Sequence, residues 1–194
     1  MKAIRLSMVF ILLLLSLSQS SCFVPEDFNV NIDIRKDGGY TFKYDGKLAY
    51  VMALAAIQEG KLSKKDKEEL KKMEKEMEKS SDDVKKFDYI GNGRYQILVN
   101  KKGVKGEDYH FLSSEINIIS IEYDDETMQV KAFKINEKDI EQLRQLKAKV
   151  EGVLSVSVDK GLKVLEHNAD KVSGGLYQWR INKPDTAPKL IVRL

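Results

Sequence analysis

The chain has a single cysteine, Cys22, and so cannot form an internal disulfide. Its two histidines, His110 and His167, stand far apart, with no second His or Cys at ligand spacing. No zinc-type donor set follows, and a surface or partly packed histidine is the expectation at each. Three prolines and 12 glycines are too few for a fibrous or low-complexity protein. No apolar run reaches the ~20 residues a membrane-spanning helix requires. No serine lies in a G-x-S-x-G setting. Gly91-Asn92-Gly93 lacks a phosphate-binding continuation and reads as a turn. Asp124-Asp125-Glu126 lacks the spaced pattern of a calcium loop and reads as a polar hairpin turn. With 32% charged residues, carboxylate pairs are too common to mark a site. No strong field of one sign argues for nucleic acid. These absences leave no expected metal, cofactor, nucleic-acid partner or catalytic residue, and an enzyme is not expected.

The N-terminus is what the sequence does have. Lys2 and Arg5 form a basic start, Leu6–Leu17 is a short Leu-rich apolar run, and Ser16, Ser18, Gln19, Ser20 and Ser21 follow. That order is the signature of a secretory signal peptide over residues 1–21. Its removal takes Lys2 and Arg5 away and brings the formal charge from +3 to +1. The remaining ~170 residues suit one domain burying roughly 70% of its unfolded surface.

Ser20-Ser21-Cys22, directly after an apolar run, resembles the lipobox of bacterial lipoproteins, in which a small pair precedes the cysteine that becomes the mature N-terminus. The resemblance implies cleavage before Cys22, a thioether-linked diacylglycerol on Cys22, and attachment to the membrane through that lipid. One position departs from the pattern: Gln19 stands where the family usually has Leu. The alternative is ordinary cleavage near Ser18 or Ser20, leaving a free thiol. Phe23, and not Asp, follows the cysteine, which within the family leans toward the outer membrane where there is one.

Residues 22–27 read as a lipidated cysteine and short tether, and 28–194 as a single α+β domain. Phe28, Val30, Ile32 and Ile34 alternate with polar residues, as in a half-buried strand. Lys36-Asp37-Gly38-Gly39 is a hairpin turn, and Tyr40, Phe42 and Tyr44 continue into a second strand. Leu48–Ile57 is apolar all round and predicts a buried helix. Ser63 and Asp66 form a capping box opening a Lys/Glu-rich helix to about Lys79, with Leu70, Met73 and Met77 as a thin apolar stripe. Together these predict a helical hairpin over about 48–79. Hairpins follow at 87–100 and 116–135, then a helix over about 137–150 with Ile140, Leu143, Leu146 and Val150 inward. Val153–Val158 and Leu162–Glu166 are expected to pair across Asp159-Lys160-Gly161, and Leu176–Ile181 and Leu190–Leu194 close the chain. The fold class is α+β: antiparallel hairpins forming a sheet with the helices packed on it.

Val164–Trp179 (VLEHNADKVSGGLYQW) carries Asn168-Ala169-Asp170, then Gly174-Gly175 and the lone Trp179. This resembles the ending of small envelope lipoproteins with an LppM-type domain, which resembles lipid-binding domains of the synaptotagmin-like, mitochondrial class. The resemblance covers the leader and about the last 40 residues. It implies an envelope lipoprotein that handles lipid. Physically, Asn168 and Asp170 are turn formers whose side chains bond nearby amides, with Trp179 packed beneath. Two functional classes follow. One is a membrane-anchored, non-catalytic module binding lipid or another hydrophobic ligand, in a groove beside Tyr40, Phe42, Tyr44 and the apolar helix. The other is a structural or assembly lipoprotein meeting an envelope protein through its charged helix or an edge strand.

Overall fold

The computed structural model describes residues 23–112, 118–132, 137–182 and 187–194. Two sheets share one aromatic core. The larger has seven strands in the order β10-β11-β8-β1-β2-β4-β3, and the smaller five, β5-β6-β7-β12-β9. In chain order these are β1 (Phe23–Ile34), β2 (Tyr40–Tyr50), β3 (Val84–Gly91), β4 (Arg94–Gly103), β5 (Tyr109–His110), β6 (Ile119–Asp124), β7 (Thr127–Ala132), β8 (Gly152–Val158), β9 (Lys163–His167), β10 (Lys171–Ser173), β11 (Leu176–Ile181) and β12 (Lys189–Arg193). The described helices are α1 (Val51–Gln58), α2 (Lys64–Ser80) and α3 (Glu137–Gln145). The class is α+β, as the alternation and capping patterns predict.

The β1–β2 hairpin is built as its residues dictate. Gly38 takes φ +80°, which L side chains resist. Asp37 Oδ1 accepts the Gly39 amide at 2.9 Å, and the Arg35 amide donates to the Gly39 carbonyl at 2.9 Å. Tyr40, Phe42 and Tyr44 then face inward, fully buried. The smaller sheet closes over them: Phe111 stacks on Tyr44 at 4.5 Å and lies 5.3 Å from Phe42, with Tyr109 5.0 Å from Phe42.

The charged helix α2 covers the other end of the same face. Its capping box forms, Ser63 Oγ accepting from the Asp66 amide and Asp66 accepting from the Ser63 amide. Leu70 is buried and Met73 and Met77 pack on the core. The Tyr95 hydroxyl donates to the Leu70 carbonyl at 2.9 Å, and Glu74 accepts the Tyr89 amide at 2.9 Å.

Five expectations are corrected. The tether over 22–27 is, from Phe23 onward, strand: Phe23–Glu26 pair with Tyr50–Lys47, and Phe23, Val24 and Glu26 are all buried. The single sheet becomes two. The pairing of Val153–Val158 with Leu162–Glu166 does not form, because β8 runs parallel to β1 and antiparallel to β11, while β9 joins β12 in the other sheet. The apolar stretch from Leu48 stays strand through Tyr50, held by the ladders to β1 and β4, and the helix begins at Val51. The later helix ends at Gln145; Leu146, Ala148 and Val150 still pack, but from irregular backbone. Its expected cap, Asn136, lies outside the described residues.

Candidate functional site

Cys22, the residue at which the lipobox resemblance implies a lipid, lies outside the described residues, and Phe23 is the first described residue. Phe23 is a core residue. Its ring sits 5.2 Å from Tyr50, 6.1 Å from Phe87 and 6.0 Å from Tyr95. Its neighbour Val24 points to the opposite face of the strand, onto a second cluster of Ala49, Leu54, Leu143 and Ala148. Helices α1 and α3 therefore cap the outer face of the large sheet where the chain enters.

A bulge follows. The β1–β2 register shifts between Glu26 and Asn29, with Asp27 at φ 45°. One inserted residue reverses the parity of a strand. Phe28, Val30, Ile32 and Ile34 are thereby returned to the face that Phe23 occupies.

Glu26, on the outer face, is 5% exposed and tied on both sides. Arg94 grips it with two nitrogens, Nε to Oε2 at 2.6 Å and Nη2 to Oε1 at 3.2 Å. The Lys149 amide donates to Oε1 at 3.0 Å. Arg94 also donates to the carbonyls of Asn92 and Lys147, at 3.1 and 3.3 Å. A buried carboxylate needs such partners. Here they pin the β3–β4 turn and the 147–149 segment to the entering strand.

Helix α1 lies at the same end. It follows Tyr50, the register partner of Phe23, and the Tyr50 amide donates to the Gly93 carbonyl at 2.8 Å. Its eight residues, VMALAAIQ, include no charge. Ala53 and Leu54 are buried; Met52 is 46% exposed, and Ala55, Ala56 and Ile57 are half-buried. Ile90, next to the β3–β4 turn, is 49% exposed.

The groove expected beside the aromatic strand is filled. Tyr40, Phe42 and Tyr44 reach no solvent, because the rings of Tyr109, Phe111 and Tyr123 occupy that space. The Tyr40 hydroxyl is buried and lacks a hydrogen-bond partner among the described residues. Burial, with Glu107 nearby, raises its pKa, and burial also lifts that of Tyr123 to about 12. An open hollow of about 560 Å³ lies instead at the far end of β1, lined by Asp33, Arg35, Lys36, Asp37, Ser157 and Asp159.

The Asn168-Ala169-Asp170 motif is a clasp. Asn168 Oδ1 accepts the Trp179 indole N–H at 2.9 Å and the Lys189 amide at 2.8 Å, while its Nδ2 donates to the Ala187 carbonyl at 2.8 Å. Asp170 accepts the Arg180 amide at 2.7 Å. Trp179 is buried beneath them. The sequence reading has these side chains bonding nearby amides; the structure instead carries their bonds to partners 10 to 21 residues on, so that Asn168 joins β9, β11 and β12.

His110 is half-buried with its Nδ1 unpaired among the described residues, and His167 is exposed, its Nδ1 accepting the Ala169 amide at 3.2 Å. Asp124–Thr127 is the β6–β7 hairpin turn, with Asp124 accepting the Asp125 amide at 2.8 Å. Among the described residues no three His, Cys, Asp or Glu side chains are placed to hold a metal, and no helix is long and apolar enough to cross a membrane. The sequence reading missed the Glu26–Arg94 pair, since 68 residues separate the partners.

No family model matches the chain, and no curated protein matches it in sequence. Among solved structures, the NMR structure of the folded domain of the Mycobacterium tuberculosis LppM protein is similar to it. The two are 10% identical, the likeness covers 90% of this chain and 91% of that one, and the TM-score is 0.39.

Proposed function

We propose that the chain is an exported lipoprotein of a bacterial envelope. In this reading residues 1–21 are removed, Cys22 is acylated, and the part from Phe23 onward is a non-catalytic module that meets lipid or another hydrophobic ligand through its exposed surface at the membrane, the groove beside Tyr40, Phe42 and Tyr44 being filled. One observation carries the reading: a basic start and an apolar run lead into Ser20-Ser21-Cys22, and the residue after that cysteine, Phe23, is a buried strand residue. Cleavage before Cys22 leaves the cysteine one residue from the fold. Two or three acyl chains, each CH₂ contributing ~0.8 kcal/mol, hold a protein at a bilayer where a single chain would not.

The test is the intact mass of the protein purified from its native membranes, with a Cys22→Ala control. A diacyl or triacyl mass on a chain starting at Cys22, absent from the control, supports the reading. An unmodified chain starting near Gln19 or Ser21 refutes it.

A second reading, an assembly lipoprotein, has its own support in the sheet edges. Strands β9 and β10 end their sheets, with Leu165 and Val172 exposed on them. Unpaired ladder edges accept an added strand. Leu165→Lys or Val172→Lys abolishing recovery of an envelope protein in a pulldown would favour it. The charged helix is the weaker contact, because its inner side is bonded to β3 and β4.

A further inference from the structure

We infer that α1 is a bilayer-contact element: its exposed side, led by Met52, rests in the lipid headgroup layer beside the anchor. The inference rests on acylation of Cys22. Its geometric basis is the missing tether. Cys22 is one residue from Phe23, about 3.8 Å between Cα atoms. Phe23 is the register partner of Tyr50, at about 5 Å in an antiparallel pair. Val51, the first residue of α1, comes next after Tyr50. The start of α1 therefore lies within about 13 Å of the Cα that carries the acyl chains. The headgroup layer on each side of a bilayer is roughly 5–8 Å deep. With no spacer to lift the domain, the anchored end meets that layer.

The composition of α1 is an independent argument. A helix that is apolar all round belongs in a core or in lipid. Its Ala53–Leu54 side is buried, while the other side, shared by Met52, Ala55 and Ala56 at i, i+3 and i+4, is open at Met52 and half-covered at the two alanines. Lipid is the apolar phase that the anchor brings to that side. Ile90, also uncovered, adjoins the turn that bonds to Tyr50. The opposite end of the sheet is a built-in control. Val104 is 65% exposed and follows Gly103, the partner of Tyr40. The ten residues of β4 put it about 30 Å from the anchored end.

The experiment uses the mature protein from native membranes, its acylation confirmed by mass, with Met52→Cys or Val104→Cys carrying an NBD fluorophore. Acylated Cys22 has no thiol to label. Both positions are exposed, and far-UV circular dichroism checks the fold of each variant. The proteins are placed in vesicles of phosphatidylethanolamine and phosphatidylglycerol. The expected result is a blue-shifted emission at position 52, quenched by brominated acyl chains and shielded from aqueous iodide, with position 104 open to iodide. An acylated protein whose label at 52 is as open to iodide as that at 104 overturns the inference alone. A shift at 52 that needs no vesicles and grows with protein concentration assigns α1 to a second copy and also overturns it. An unmodified mass removes the inference together with the reading it rests on.

Discussion

Replacing Asn168 with alanine tests whether one exposed side chain holds three strands together. The indole N–H of Trp179, on a residue 1% exposed, would lose its acceptor, and leaving a buried donor unmade costs about 1–3 kcal/mol. The Lys189 amide and Ala187 carbonyl lie nearer solvent, where water replaces part of what is lost. The expected loss is about 2–3 kcal/mol, or roughly 4–12 °C in Tm for a domain of this size. Asn168→Asp separates the contributions. A carboxylate still accepts from Trp179 and Lys189 but cannot donate to Ala187, so its loss should be about 1 kcal/mol. Trp179 is the only tryptophan, so urea titration followed by its fluorescence reads the site directly. An alanine variant within ~0.5 kcal/mol of the parent, or an aspartate variant as damaged as the alanine one, would refute the reasoning.

Glu26→Ala should cost about 3 kcal/mol in urea denaturation, since it strands Arg94 and the Lys149 amide; partial exposure of Arg94 keeps the loss at the low end for a broken buried pair. Tyr40→Phe removes a buried hydroxyl without a partner among the described residues and should leave stability equal or raise it by about 1 kcal/mol, read as Tm; a clear loss would mean the hydroxyl is bonded. Gly103→Ala should destabilise by about 1–3 kcal/mol, because an added Cβ would overlap the Tyr40 ring, which is fully buried and boxed in by Tyr109 and Tyr123. Glu107, bonded by Lys101, and Glu122, bonded by Ser120 and Lys131, are held below the usual carboxylate range. Depressed folded values give stability that is full above the unfolded value, about 4.5, and is lost as pH falls through the folded ones. Tm should therefore fall on acidification below about pH 4.5, and Glu122→Gln should flatten that slope; an unchanged slope would remove the carboxylate from the account.

The legible parts of the fold were those with local signals. The Asp37-Gly38 turn, the Tyr40–Tyr44 alternation, the Ser63 capping box and the β11 span Leu176–Ile181 all follow from residues a few positions apart. What escaped was set by distant partners. Phe23–Glu26 show no alternation because both faces of the strand are covered, one by the aromatic core and the other by α1 and the 143–148 segment. The bulge at Asp27 then restarts the pattern, so a strand seems to begin at Phe28. Val153–Val158 and Leu162–Glu166 resemble a hairpin in sequence, yet β8 is drawn to β1 and β9 to β12, a choice no local residue encodes. At the candidate site, the reading of a leader and of Cys22 rests on the sequence alone. That the fold leaves no slack after Cys22 was not, since it depends on the pairing of Phe23 with Tyr50.

The strand order bears on when the chain can fold. The middle strand of the large sheet, β1, is the first to be made, yet one of its neighbours, β8, comes only after residue 150. The smaller sheet is centred on β7 and β12, and β12 is the last strand of all. Neither sheet can close before the C-terminal segment has been made, and pairing across such separations is intrinsically slow. The wiring itself keeps both sheets open until the last strand is available.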